Sequence, residues 1–354
     1  YGFERNDPDG HLCDVWLYDD LVTPTGFLHG PAGVPREEQR NVAAVYEDLR
    51  PGTYSQRERL DDMELNHVSA AINYPNIFPR FCGQGFLERE DKEFALECLK
   101  IYNDWIIDDW GGGAGRGKLI PLTLVPLWDP VLAAEEVRRC ASKGSYAIAF
   151  SENPSKLGCA TMYSGEWDVL WDACQEADVT VSMHIGSSSK MPAASPDAPP
   201  AVAASLSFNN AIASMSDFLF SGVLVRFPEL KLAYSEGQIG WIPYILERAD
   251  DVWKEHRAWG GVADTIPEPP STYYYRQIYG CFFRDNHGLR SLDEVGVDNI
   301  TFETDYPHTD TTWPHTKQVA TDMMGHLPAD VVWKIVRGNA ARMLSLDIEL
   351  CPTV

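Results

Sequence analysis

The segment FETDYPH, residues 302–308, places two carboxylates and an imidazole at the end of an apolar, β-branched run that begins at Val297. Strands usually stop at Gly, Asn or Pro, so Glu303, Asp305 and His308 together ask for a chemical reason. Two other apolar runs end in a similar way. Val179–His184 (VTVSMH) closes on an imidazole, and Leu230–Ser235 (LKLAYS) is followed at once by Glu236. Taken singly, His184 reads as a hydrogen-bonded core residue, Asp305 as a turn former and Glu236 as the approach to a helix. Taken jointly they differ, because gathering several ionisable groups is costly unless a cation or a reaction compensates. Imidazole and carboxylate suit a divalent metal, Zn²⁺ first and Mn²⁺ second. Such an ion polarises a substrate oxygen or activates a bound water, while Asp305, with Glu236 or His308, moves a proton.

These side chains share a rim only if the apolar runs are parallel strands, since the sites of parallel α/β folds lie at the carboxyl ends of the strands. The chain supports that arrangement. Buried strands are expected at Ser69–Tyr74, Leu119–Pro126, Tyr146–Phe150, Val179–His184, Leu230–Ser235, Gln277–Phe282 and Ile300–Asp305. Helices are expected at Asp91–Asp108, Pro130–Lys143, Glu166–Ala177, Ile239–His256 and Ala329–Ser345, one of them opening on Asp129-Pro130, a cap followed by Pro at the first helical position. This is an α/β pattern without repeats or an interdomain linker. It reads as one domain over 1–354, with a hairpin (CDVWLYDD) and irregular insertion in 1–60 and loops at 190–210 and 257–276. A closed barrel needs eight strands and seven are countable. Either the first strand lies upstream of Tyr1 or the sheet is open and doubly wound. No GxGxxG follows the first strand, so a dinucleotide fold has little support.

Reading past the other strand ends adds a second rank of candidates. Segment 75–84 offers Asn76, Arg80 and Gln84, and Arg80 is the choice for a substrate carboxylate because guanidinium is a planar fork. Glu152 and Asn153 follow Tyr146–Phe150, and Trp313 is a candidate pocket wall. The Gly-rich GGGAGRGK (111–118) lacks phosphate-loop spacing and precedes a strand, so it reads as a connection. The net charge of −23 (29 basic, 52 acidic residues) speaks against nucleic acid or an anionic membrane as partner. Eight scattered cysteines with no CxxC pair read as reduced core residues of a cytoplasmic protein.

Four segments, TVSMHIG, RFPELKLAYSEGQIGWIPYILERAD, GVDNITFETDYPHTDTTWP and IVRGNAARML, together resemble the amidohydrolase-2 family, the branch similar to aminocarboxymuconate-semialdehyde and γ-resorcylate decarboxylases. The resemblance runs over roughly residues 60 to 347 in consistent order. It implies a (β/α)8 TIM barrel, one divalent ion and a small carboxylated aromatic or unsaturated substrate. It also implies non-oxidative decarboxylation, hydration, or hydrolysis of a C–C or C–N bond, and a homodimer or higher homo-oligomer. His184 matches the metal-binding histidine that ends the fifth strand, and Asp305 the aspartate that ends the eighth. Two departures stand out. The first-strand ligand pair has no counterpart, since His11 and His29 lie in polar text; a barrel that has lost its metal and kept a binding role is the other reading. A histidine that many of the decarboxylases carry after strand six is here Glu236, which opens the hydrolase alternative.

Overall fold

All seven expected strands form. The structure, a computed structural model, describes residue 10 and residues 12–346, so His11 and Cys351 lie outside the described residues. The chain begins with the expected hairpin, β1 (Val15–Tyr18) against β2 (Leu21–Pro24). Then come β3 (Ala71–Ile72), β4 (Leu119–Ile120) and β5 (Thr123–Leu124), followed by β6 (Ala147–Phe150), β7 (Thr180–His184), β8 (Leu232–Ser235), β9 (Ile278–Phe282) and β10 (Ile300–Phe302). The run 119–126 splits in two because Pro121 lacks the N–H that a continuous ladder needs there.

Strand order decides between the two architectures left open by the sequence. The six-stranded sheet runs β10-β9-β8-β7-β6-β5, all parallel, and β3 pairs with β4 in the same sense. Neighbours in space follow the order of the chain, as in a barrel, without the reversal of a doubly wound sheet. Among the described residues no strand pairs with the outer edges of β3 and β10. Residues of both edges, Ala71 and Ile72 on one side and Thr301 and Phe302 on the other, line a single cavity of about 1680 Å³. The ladder is therefore open at the place where the sequence reading puts the barrel's first strand.

Between strands run α1 (Gln56–Leu65), α2 (Lys92–Trp105), α3 (Pro130–Ser142), α4 (Asp168–Glu176), α5 (Asn209–Ser221) and α6 (Ile242–Glu255). Asp129 caps α3 as its sequence suggests, accepting from the amides of Val131 and Leu132. The expected helix at 329–345 forms in three pieces, with a π turn at Lys334–Gly338. Three segments differ from expectation. Helix α1 starts inside the supposed irregular insertion, and short helices Pro200–Leu206 and Pro270–Gln277 occupy parts of the two expected loops. In both short helices Pro holds the first helical position, where its missing N–H costs nothing.

Buried polar groups hold the strands at fixed height. Asn103 on α2 is fully buried; its Nδ2 donates to Leu124 O at 2.9 Å, and its Oδ1 accepts from Leu124 N at 2.7 Å. Its Nδ2 also donates to the buried carboxylate of Glu136 at 2.7 Å. Asn339 does similar work at the other end, donating to Val297 O and Ile300 O, both at 2.7 Å. Asn103→Leu leaves both backbone groups of β5 residue Leu124 unpaired away from water, and should lower stability by about 3 kcal/mol in denaturant unfolding. No helix among the described residues is long and apolar enough to cross a membrane.

Candidate metal and acid–base centre

Three strand ends deliver the polar cluster. Every residue of β7 is buried, which sets the His184 ring inside the barrel rim. Phe81 stacks on the ring at 4.2 Å between centroids, and Tyr74 meets it edge-on at 4.9 Å. His184 Nδ1 lies 2.6 Å from Ile185 O. A carbonyl only accepts, so Nδ1 carries the proton and Nε2 is the nitrogen left to face the cluster. It faces Glu236 Oε1 at 2.8 Å.

Glu236 follows β8 with φ 56°, a left-handed conformation uncommon for a residue with a side chain. Asp305, just past β10, has φ 49°. Both strand ends therefore hold strained backbone at the positions that aim carboxylates inward. The Glu236 amide donates to Glu303 Oε1 at 2.9 Å, tying the two strand ends together. His308 closes the group: its Nδ1 is 3.1 Å from Asp305 Oδ1 and 3.9 Å from Glu236 Oε1. Its Nε2 is 2.8 Å from the side-chain amide of Asn76, which can donate to a bare Nε2 or accept from a protonated one.

The electrostatics follow from three carboxylates sharing a buried site. Burial, then the charge of Glu236, pushes Asp305 up to about 7. Burial, then Glu236 and Asp305, pushes Glu303 up to about 8. Burial would raise Glu236 too, but the charge and hydrogen bond of His184, with His308, outweigh it and hold that carboxyl well below its usual range. His184 is raised: burial opposes its charge, and Glu236 overcomes burial. His308 rises to about 10 because its bonds to Asp305 and Glu236 outweigh burial in the same way. A carboxylate still holding its proton near neutral pH, beside one that is ionised, is the arrangement acid–base chemistry uses.

The donor set fits a divalent cation. Glu236, Asp305 and His308 each offer one ligand atom, and these atoms lie within 4.8 Å of one another. His184 adjoins this group through its Nε2 contact with Glu236 Oε1 at 2.8 Å. Glu236, Asp305 and His308 would hold such an ion, and the excess of carboxylates would offset its charge.

Of the residues expected from sequence, His184, Glu236, Asp305 and His308 converge. Trp313 lines the cavity, where Arg50 lies over its ring at 3.9 Å and its indole N–H donates to Asp62 O at 3.2 Å. Arg80, Glu152 and Asn153 do not line it. Arg80 points away, bonded to Glu88 at 2.7 Å and Ser189 at 2.5 Å. Glu152 is buried, and its Oε1 accepts from Gly186 N, Ser188 Oγ and Asn210 Nδ2, so it shapes the turn after His184. Asn153 caps the short turn Pro154–Leu157 through the Lys156 amide. Sequence reasoning set His29 aside as lying in polar text and passed over Tyr74 and Arg59; all three line the cavity. His29 and Arg59 arrive from the 12–55 segment and α1, and no local pattern marks either as facing a strand end.

The match to known families decides the lineage. The family model described as amidohydrolase matches residues 29–346. The chain belongs to the amidohydrolase family. Solved structures similar to this amidohydrolase include an amidohydrolase from Mycobacterium avium subsp. paratuberculosis, at 20% identity over 94% of this chain and 91% of that one, with a TM-score of 0.71. The 5-carboxyvanillate decarboxylase from Sphingomonas paucimobilis matches at 20% identity, covering 82% and 83%, with a TM-score of 0.63. A dihydroxybenzoic acid decarboxylase from Polaromonas sp., solved with bound manganese and the inhibitor 2-nitroresorcinol, matches at 20% identity over 82% and 86%, with a TM-score of 0.60. These likenesses extend the fold of this amidohydrolase to the (β/α)8 class that the strand order indicates.

Proposed function

We propose that this amidohydrolase is a metal-dependent enzyme that removes CO₂ from a small carboxylated aromatic acid without oxidation. The observation that carries the reading is the cluster of Glu236, Asp305 and His308, facing a cavity large enough for an aromatic acid, with Asp305 held near pKa 7. The named activities of two structural neighbours support it. Asp305, His308 and Glu236, with His184, are the residues that would hold the ion. Two carboxylates beside imidazole suit Mn²⁺, and Mn²⁺ takes precedence over the Zn²⁺ expected from sequence. When bound, the ion supplies positive charge for substrate oxygens.

The chain's own groups account for the proton. Breaking the ring–carboxylate bond leaves an electron pair on a ring carbon, and that carbon must receive a proton. The Asp305 carboxyl is the donor, and His308 Nδ1, 3.1 Å away, then pairs with the carboxylate left behind. Burial and the charge of Glu236 keep that proton on Asp305 between turnovers, while Phe81 and Tyr74 hold His184 in place. Seven free cysteines among the described residues support a reducing, cytoplasmic setting, and exposed Leu12, Trp16, Leu17 and Val22 on and beside the hairpin support a homo-oligomer.

Incubation of the Mn²⁺-loaded protein with hydroxybenzoic acids in ¹⁸O-water tests the reaction type. Release of one CO₂ per molecule of phenol formed, with no ¹⁸O in the phenol, is expected. Product carrying ¹⁸O without CO₂ would establish the hydrolase instead.

A further inference from the structure

Arg59 is buried with no carboxylate at ion-pair distance among the described residues, in the cavity that Asp305 and His308 also line. Its side chain on α1 has 6% of its surface exposed and lines the cavity shared with Asp305 and His308. Nε–H donates to Gly52 O at 2.6 Å; its terminal nitrogens make no hydrogen bond among the described residues. The guanidinium lies over the Tyr306 ring at 4.4 Å and nearer Tyr306 than Trp110, whose ring is 5.9 Å away. Tyr306 directly follows Asp305, and the Trp110 indole donates to Asn73, one residue before Tyr74. The neighbouring carboxylate, Asp62, is already taken by Arg50 at 2.7 and 2.5 Å and by the Tyr306 hydroxyl. A desolvated guanidinium without a carboxylate is expensive, and two flanking rings recover only part of the cost.

We propose that Arg59 is the specificity-determining residue that receives a carboxylate of the substrate. The cavity it lines also carries Glu236, Glu303 and Asp305, and the whole chain is 23 units negative, so an anionic acid entering the cavity needs a fixed cation beside any metal ion. Lys317 also lines the cavity but is exposed and lacks the planar fork that meets both oxygens of a carboxylate. Arg59 thus replaces Arg80 in the role expected from sequence. This inference rests on the acid-substrate reading above, and its test is separate from the reaction chemistry.

The test is calorimetric binding of 2,6-dihydroxybenzoate and of resorcinol, the same ring without the carboxylate, to Mn²⁺-loaded full chain. The wild type should bind the acid more tightly than resorcinol. Arg59→Gln should weaken the acid by about 30-fold and leave resorcinol unchanged, and Arg59→Lys should fall between. Equal loss for both ligands, an unchanged acid-to-phenol ratio accompanied by a lower Tm, or a wild type that binds the two alike would each overturn the proposal. The last of these needs no variant to fold. Failure to release CO₂ counts against the decarboxylase reading alone, because the binding ratio does not depend on turnover.

Discussion

Asp305→Asn should reduce kcat by about 10³-fold while leaving the fold intact. The amide is nearly the same size and can still accept from His308, so backbone and packing have little reason to change. What it lacks is a proton to give and a charge to offer. Asp305 is the cluster's only carboxyl that is both bonded to His308, at 3.1 Å, and raised to about 7 by burial and by Glu236. The proton step in the proposed reaction has no second donor with that combination. Glu303 is raised as well, to about 8, yet its Oε1 is committed to the Glu236 amide. Steady-state kinetics beside a thermal melt checks this: a large loss of kcat with a Tm within a few degrees of wild type is the expected pair of results. A variant with ordinary kcat would remove Asp305 from the chemistry.

With Mn²⁺ kept saturating, Glu236→Gln should cost about 10²-fold in kcat and move the pH–rate profile, which makes it the more informative of the two. Glu236 is the ionised centre of the cluster. Its charge helps raise Asp305, Glu303, His184 and His308. Removing that charge stabilises ionised Asp305 relative to its acid, so the Asp305 pKa falls. Protonated Asp305 is the form that donates, so the basic limb of the kcat profile should shift to lower pH. His308 loses part of its support and should also titrate lower. A basic limb that stays in place, or moves upward, would show that Glu236 does not set the proton affinity of this site.

How much of this was legible before the structure depends on which residues carried the signal. The strand ends were readable because each is a short apolar run stopped by a group that packing does not require. VTVSMH becomes a fully buried β7, and its closing histidine has nowhere to point but into the rim. Alternating runs and helices gave the parallel sheet, while barrel and doubly wound readings stayed open until the spatial strand order excluded the second. Arg80 and Glu152 misled for the same reason: both follow strands, but position along the chain does not say which way a loop turns. Ser189 and Glu88 draw Arg80 aside, and amides of the turn at 186–188 enclose Glu152. Arg59 was invisible, and His29 was set aside as lying in polar text, because both reach the site through tertiary folding of a segment without periodicity.

The departure at Glu236 now has a physical content. Where the related decarboxylases were expected to carry an imidazole, this chain carries a carboxylate that accepts from His184 and lies 3.9 Å from His308. In the proposed reaction the imidazole that pairs with the proton donor Asp305 is His308, reached from the next strand end but one.

The central claim is that His184, Glu236, Asp305 and His308 hold a divalent ion needed for turnover. Elemental analysis of the full chain purified with Mn²⁺ present, measured together with activity before and after chelation, tests it most directly. The account predicts about one ion per chain, loss of activity on chelation, recovery with Mn²⁺, and little bound metal in His184→Ala. An active protein without stoichiometric divalent metal would contradict it.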